Sequence, residues 1–165
     1  MANYIIHYIE KIIENPALAT FLISMFPLTE LRGSIPWAFV FTELPIISIY
    51  ILSVTGNFLV TVPIIYFLDR FLSYISKWES GKKITSWLYI RTRRRGAQIN
   101  KLKFWGLVLF VGIPLPVTGA WTGCIAANIF GIPKLKALMA ILTGLILSGG
   151  IVSSLVITGK WLIFN

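Results

Sequence analysis

Two opposite charges stand close together inside a long apolar stretch, and they are the residues best suited to do chemistry. Glu30 and Arg32 lie in the segment Pro27–Pro36, which is predicted to break the apolar stretch 17–44. Arg32 is suited to bind an anionic group such as a phosphate, because its planar guanidinium pairs with two oxygens at once. Glu30 is suited to carry a proton, because burial favours the neutral form of a carboxyl group. The alternative is a structural ion pair that fixes a turn.

A second broken apolar stretch, 104–132, has proline, glycine and hydroxyl residues at its centre and no charge there. These residues offer hydroxyl groups, carbonyl groups and close backbone approach. We expect six residues here either to line a substrate site with Glu30 and Arg32 or to serve tight packing alone. They are Pro114, Pro116, Thr118, Gly119, Trp121 and Thr122. Asn57 and Asn128 are either hydrogen-bond partners between helices or substrate contacts.

The elements that must position these residues are set by the lengths of the apolar stretches. Two stretches, 46–68 and 137–159, are uninterrupted over 23 residues each, or about 34 Å of helix, which spans a hydrocarbon core of about 30 Å. Each arm of the broken stretches 17–44 and 104–132 is only about ten residues long, roughly half a bilayer. We therefore expect two re-entrant hairpins, with four kinked spanning helices as the alternative.

An internal repeat relates the two halves of the chain. Pro45 and Pro133, each just before a long apolar stretch, are 88 positions apart, and so are Gly56 and Gly144. One hairpin and one span per half require the second half to be inverted, as in many transporters. The sequence thus predicts one all-α integral membrane domain over 1–165, an inverted repeat in which each re-entrant helical hairpin precedes a transmembrane helix and the tips meet near the midplane.

Basic residues are concentrated between the two halves. The stretch 70–103 holds ten Lys and Arg residues against one acidic residue, Glu79. Short Lys- and Arg-rich loops stay on the cytoplasmic side of a membrane, so we expect a basic cytoplasmic helical loop here. Aromatic residues interleave with the charge, which suits contact with anionic lipid headgroups better than a nucleic-acid-binding arm, and the candidate headgroup ligands are Arg91, Arg93, Arg94 and Arg95.

The ends of the chain add two further expectations. Segment 3–14 is predicted to be an amphipathic interfacial helix, with His7 as an interfacial side chain, and no signal peptide is recognisable. Glycines at 144, 149 and 150 permit close helix packing. Because the hairpins and spans of one chain bury little surface, we expect a homo-oligomer in which this glycine-rich face contacts a second copy.

Composition excludes several classes of protein. Only 13% of the 165 residues are charged, 56% are hydrophobic, and the mean hydropathy is +0.81. A soluble domain carries about 25% charged residues, so an ordinary cytosolic enzyme is excluded. One Cys and one His provide neither a disulfide nor a metal site. We also expect no cofactor and no enzymatic activity, since no nucleophile and base are recognisable together.

The segments Thr29–Pro36 and Pro114–Gly123 together resemble the small multidrug export protein family, and the resemblance covers nearly the whole chain. That family is regarded as distantly related to the DedA (VTT-domain) superfamily. The resemblance implies two re-entrant hairpins in inverted repeat, and transport or flipping of lipid carriers such as undecaprenyl phosphate that depends on the proton-motive force. Glu30 and Arg32 match the acidic and basic residues of the first hairpin motif. The second hairpin departs from the DedA pattern, because Leu115, Val117 and Thr118 stand where arginines are usual.

These observations lead to one main hypothesis and two others. The chain is expected to be a multi-pass protein of a prokaryotic cell membrane, a transporter or lipid flippase whose Glu30 protonation biases the inward or outward state. Its expected partners are membrane lipids and a lipid-phosphate or small-molecule substrate, not nucleic acid. The second hypothesis is a lipid-organising scaffold or assembly factor that uses 70–103. The third is a cation-conducting pore with Glu30 in a ring.

Overall fold

The computed structural model describes residues 14–75, 100–115 and 118–164. In these ranges the chain is all-helical, without strands. The described residues form six helices: α1 (Pro16–Met25), α2 (Glu30–Phe41), α3 (Ile46–Ile75), α4 (Asn100–Gly112), α5 (Ala120–Ile129) and α6 (Lys134–Phe164). The predicted interfacial helix 3–14, apart from Glu14, lies outside the described residues, and so does the larger part of the predicted basic loop, 76–99.

Helices α1 and α2 form a compact helical hairpin. The side chain of Asn15 caps α1 by accepting hydrogen bonds from the backbone N–H groups of Ala17 and Leu18, each at 3.1 Å, which satisfies two donors of the first turn. Four residues, 26–29, connect α1 to α2, and the two helices pack against each other. The hydroxyl of Thr29 donates to the carbonyl of Ile23 at 2.5 Å and ties the connection back to α1.

The first break is shorter than the sequence predicts. Pro36 was expected within the break but lies inside α2. A proline in a helix removes the hydrogen bond to the carbonyl four residues earlier, which here belongs to Arg32 in the first turn of α2. The helix tolerates this loss because α2 packs along α1. In the second break, α4 and α5 are likewise joined by the short segment 113–119.

Helices α3 and α6 are the long elements of the fold. The apolar part of α3 is Ile46–Leu68, the predicted stretch, and that of α6 is Lys134–Lys160, so both helices are long and apolar enough to cross a membrane. Both also continue past the predicted boundaries. Residues 70–75 therefore belong to α3 rather than to a loop.

The chain divides into two compact units. Unit 1 comprises Met1–Asn57 and Ile146–Asn165, and unit 2 comprises Phe58–Leu145. In unit 1, α1 approaches α3 closely at Gly56, where an added Cβ would lie 2.5 Å from the carbonyl oxygen of Phe21. The first part of α3 also contacts the last part of α6, since the hydroxyl of Tyr50 donates to the carbonyl of Ile146 at 3.1 Å.

Unit 2 contains α4 and α5 with the remaining parts of α3 and α6. Gly144 in α6 packs against α4, since an added Cβ would lie 2.9 Å from the carbonyl oxygen of Val108 and 2.7 Å from the Cβ of Val111. The ammonium of Lys103 donates to the carbonyl of Phe130 at 2.8 Å. This bond connects the start of α4 to the end of α5.

Two of the four glycines of α6 pack within the chain. Gly144 contacts α4, and Gly149 faces Tyr50 and Val54 of α3, whereas an added Cβ at Gly150 would meet nothing within 4 Å. The expectation that this glycine-rich face contacts a second copy is therefore not supported for Gly144 and Gly149, which are already used inside one chain.

Large apolar side chains on the outside of α3 and α6 are exposed, as lipid contact requires. The exposed set on these two helices includes Ile47, Ile51, Leu59, Phe67, Leu135, Met139, Leu147, Ile151 and Leu155. Exposed large apolar side chains along the whole length of two helices are unusual at a water-facing surface. This surface and the two long apolar helices fit the membrane class that the composition predicts.

Candidate functional site

Glu30 is a buried carboxyl group on a strained stretch of backbone. It is the first residue of α2, and only 7% of it is exposed. Its φ angle is +47°, and in the described ranges it is the one non-glycine residue with a positive φ. This left-handed conformation costs an L-residue about 1–2 kcal/mol. Strain of this kind is concentrated at functional sites, so Glu30 has two features of a functional residue.

Arg32 lies in the first turn of α2, and its side chain is half-buried. The negative charge of Glu30 acts on the guanidinium of Arg32, so the two predicted site residues interact. Both residues lie in the first turn of α2, at the end of the hairpin that α1 and α2 form.

The face of α2 that carries Glu30 is lined with buried polar groups. Ser34, one turn after Glu30, is completely buried, and its hydroxyl donates to the hydroxyl of Ser53 in α3 at 2.7 Å. Asn57, one turn after Ser53, is also completely buried. Neither atom of the Asn57 amide has a hydrogen-bond partner in the part of the chain that the structure describes.

The second predicted tip is the connection between α4 and α5. The hydroxyl of Thr118 donates to the carbonyls of Ile113 at 3.1 Å and Leu115 at 2.9 Å, and the hydroxyl of Thr122 donates to the carbonyl of Gly119 at 3.4 Å. These two hydroxyls thus hold the connection itself together, which favours a packing role for them. Gly119 is buried at the start of α5 in an extended conformation.

The remaining predicted site residues are only partly described. Pro114 and Trp121 are half-buried. Pro116 and the four predicted headgroup ligands at 91 and 93–95 lie outside the described residues. Glu30 and Arg32 belong to unit 1 and residues 114–122 to unit 2.

Two site residues were missed by the reading of the sequence. Ser34 and Ser53 were not singled out, although the sequence carried a usable pattern. Glu30 and Ser34, and likewise Ser53 and Asn57, are four residues apart, the spacing that places two side chains on one helix face. For Asn57, the structure favours a substrate contact over a hydrogen bond between helices, because its amide has no hydrogen-bond partner on a neighbouring helix within the described ranges.

A comparison with protein families identifies a family that the chain matches over most of its length. The profile of the family described as "Putative small multi-drug export protein" matches residues 30–151. The match begins at Glu30 and includes Arg32, all of α3 and the whole α4–α5 pair. It ends in the middle of α6. No curated protein and no solved structure matches the chain.

Proposed function

Because the chain belongs to the family of small multi-drug export proteins, we propose that it is a membrane transporter or lipid flippase of the DedA-like type. In this proposal it moves a small or lipid-linked anionic substrate and has no enzymatic activity. The observation that carries the proposal is the placement of Glu30 and Arg32. A buried carboxyl group on a strained backbone and a half-buried guanidinium lie at the end of a short helical hairpin. Charges in such apolar surroundings are costly and usually serve transport.

Arg32 is proposed to bind the anionic group of the substrate. A guanidinium keeps its charge and offers paired donors to a phosphate or carboxylate. Its half-buried position leaves part of the side chain available to a ligand. Glu30 is proposed to exchange a proton as the substrate moves, and its charge acts directly on Arg32. Protonation of Glu30 would therefore strengthen the positive field at Arg32, coupling the proton to the bound anion.

Both hairpins are proposed to be re-entrant. Helices α1, α2, α4 and α5 contain 10, 12, 13 and 10 residues, or about 15–20 Å each. Over their described lengths, none of them alone crosses a hydrocarbon core of about 30 Å. An inverted repeat is supported by the composition of the two units. Each unit contains one pair of short helices, one part of α3 and one part of α6.

The setting of the proposed transporter follows from the distribution of charge. We propose a multi-pass protein of a prokaryotic cell membrane with 70–103 on the cytoplasmic side, where its ten basic residues meet anionic lipid headgroups. A homo-oligomer is proposed as well. Since Gly144 and Gly149 pack within the chain, a second copy would have to contact other parts of the surface.

Reconstituted protein tests the proposal directly. Flipping of a fluorescent lipid phosphate, and uptake of small organic anions, are measured in proteoliposomes with and without an inward proton gradient. We expect activity that the gradient stimulates. Arg32→Ala should abolish substrate movement, and Glu30→Gln should remove the stimulation by the gradient. Arg32→Lys is the matched control for charge: it keeps the cation, loses paired binding, and should retain a small part of the activity.

A scaffold or assembly factor is the second candidate, favoured by the net charge of the basic stretch. Residues 70–103 carry ten basic residues against Glu79 alone, enough to hold anionic lipid without any transport. In that case the reconstituted protein moves no lipid or anion, Arg32→Ala has no effect, and neutral replacements at 91 and 93–95 release it from anionic vesicles. That set of results would refute the transporter proposal.

A further inference from the structure

The amide of Asn57 is a buried polar group whose hydrogen-bonding capacity is not used. The residue is completely buried in unit 1, and both its Oδ1 and its Nδ2 are without a hydrogen-bond partner in the described ranges. Buried amides are almost always hydrogen-bonded, and an exception calls for an explanation such as strain, a catalytic role, or a bound water or ion. An unpartnered amide in the middle of a long apolar helix therefore indicates a ligand contact.

The register of α2 and α3 places Asn57 beside Glu30. Ser34 lies seven residues before Phe41, the end of α2, and Ser53 lies seven residues after Ile46, the start of α3. Because the Ser34 hydroxyl donates to that of Ser53 at 2.7 Å and only four residues connect the helices, the two helices run antiparallel in this register. Glu30 lies one turn before Ser34, and Asn57 lies one turn after Ser53. In an antiparallel pair with this register, Glu30 and Asn57 therefore lie at the same level.

The oxygens gathered at this level are those that bind a small hard cation. The hydroxyls of Ser34 and Ser53 meet between the two helices, and the buried residues Glu30 and Asn57 each stand one helical turn beyond them. A carboxylate has two oxygens, so Glu30 can act on Arg32 and still contribute to a cation site.

A single acidic group favours a monovalent cation. The described ranges contain no group of three or more His, Cys, Asp or Glu side chains that could hold a metal ion. Divalent cations in proteins are usually bound through several carboxylates, whereas membrane transporters coordinate sodium with uncharged carbonyl oxygens of broken helices. Hydroxyl and side-chain amide oxygens are uncharged acceptors of the same kind. We infer that Glu30, Ser34, Ser53 and Asn57 form a sodium-binding site between α2 and α3. The inference goes beyond the proposed function, because it concerns binding and requires no transport.

Binding of ²²Na⁺ to the purified full-length protein in nanodiscs tests the inference. Ionic strength is held constant with choline, and thermal unfolding is followed with and without sodium. We expect saturable binding of about one ion per chain, and a melting temperature that rises with sodium because a ligand of the native state stabilises it. Asn57→Leu should weaken binding at least tenfold and abolish the sodium-dependent shift.

Asn57→Leu also separates a ligand contact from a structural role. The change replaces an unpartnered amide with an apolar side chain of similar size, so the melting temperature in choline should not fall. Thr55→Val is the matched control, because Thr55 is exposed on α3 and its hydroxyl bonds only to carbonyls of the same helix. This variant should bind sodium as the parent does. If Asn57→Leu does not fold, Ser53→Ala replaces it, with weaker sodium binding expected.

Two outcomes would overturn the sodium site. One is a parent protein without saturable sodium binding, and the other is unchanged binding in both Asn57→Leu and Ser53→Ala. Arg32→Ala keeps this question apart from substrate transport, since it removes no sodium ligand and should not weaken sodium binding. Loss of substrate movement in Arg32→Ala together with an absence of sodium binding in the parent would refute the sodium site and leave the proposed transporter standing.

Discussion

At the scale of single residues, Glu30 combines a functional carboxyl group with a backbone conformation that glutamate does not favour. A φ of +47° is adopted by glycine at little cost but costs other L-residues about 1–2 kcal/mol. If residue 30 served only to start α2, glycine would be the more stable choice, because it adopts this φ angle at little cost. The retention of a strained, buried glutamate is therefore best explained by the work of its side chain.

Two substitutions at Glu30 separate the strain from the charge. Glu30→Ala and Glu30→Gly both remove the carboxyl group, but only glycine relieves the backbone. We expect Glu30→Gly to be more stable than Glu30→Ala by about 1 kcal/mol, measured by chemical unfolding in detergent micelles. Both variants should lose the response of transport to a proton gradient. Equal stability of the two variants would indicate that position 30 is unstrained in the folded protein.

The sequence made part of this site predictable. Two opposite charges within an apolar stretch identify Glu30 and Arg32 without any structure, since such charges are expensive in lipid. Neither the left-handed backbone at Glu30 nor the unpartnered amide of Asn57 could be predicted, because each depends on how α2 packs against its neighbours. The four-residue spacing of Ser53 and Asn57 shows only that they share a face of α3.

At the scale of helices, close approach at glycine joins the short helices to the long ones. Gly56 of α3 faces α1 so closely that an added Cβ would lie 2.5 Å from the carbonyl oxygen of Phe21 and nearer still to the hydroxyl of Ser24. A backbone carbonyl cannot rotate away as a side chain can. Contact between α1 and α3 in unit 1 therefore depends on the missing side chain at position 56.

Alanine at Gly56 should force α1 away from α3. Overpacking of this kind typically costs 1–3 kcal/mol or more, and the melting temperature in detergent should fall accordingly. Gly150→Ala is the matched control, because it too lies within a long helix but an added Cβ meets nothing within 4 Å. Alanine favours a helix over glycine by about 1 kcal/mol, so this variant should melt at a slightly higher temperature. A stable Gly56→Ala protein would contradict the close packing.

Helix boundaries illustrate where reading the sequence succeeds and where it fails. The uninterrupted apolar run 46–68 correctly gives the apolar part of α3, because a run of this length and composition has few other stable conformations. Pro36 was assigned to a break but lies within α2. Proline removes one backbone hydrogen bond, and whether packing compensates for that loss is decided by the neighbouring helix, which the local sequence does not specify.

At the scale of the whole molecule, the proposal requires a particular placement of the chain in the membrane. The ends of the α1–α2 hairpin, at Glu14 and Glu43, should lie on one side, and Leu28 in its connection should lie within the bilayer. Leu28 is 98% exposed, so its access to reagents depends on the surrounding medium rather than on protein packing. In the proposed orientation, Lys160 lies on the outer side and Lys136 on the cytoplasmic side.

Single cysteines labelled in intact cells test this placement. The native cysteine, Cys124, is buried and is replaced in a Cys124→Ala background. A membrane-impermeant maleimide should label cysteines at 14, 43 and 160 in intact cells, whereas position 136 should react only after permeabilisation. A cysteine at Leu28 should react under neither condition and only after the protein is denatured, because thiols within lipid are not ionised and the thiolate is the reactive species.

Labelling of positions 14 and 43 from opposite sides would mean that 17–44 crosses the membrane once as a kinked span. Rapid labelling at 28 in intact or permeabilised cells would place the neighbouring Glu30 and Arg32 at a water-exposed surface, and both the proton-coupling role and the binding of substrate within the membrane would then be excluded.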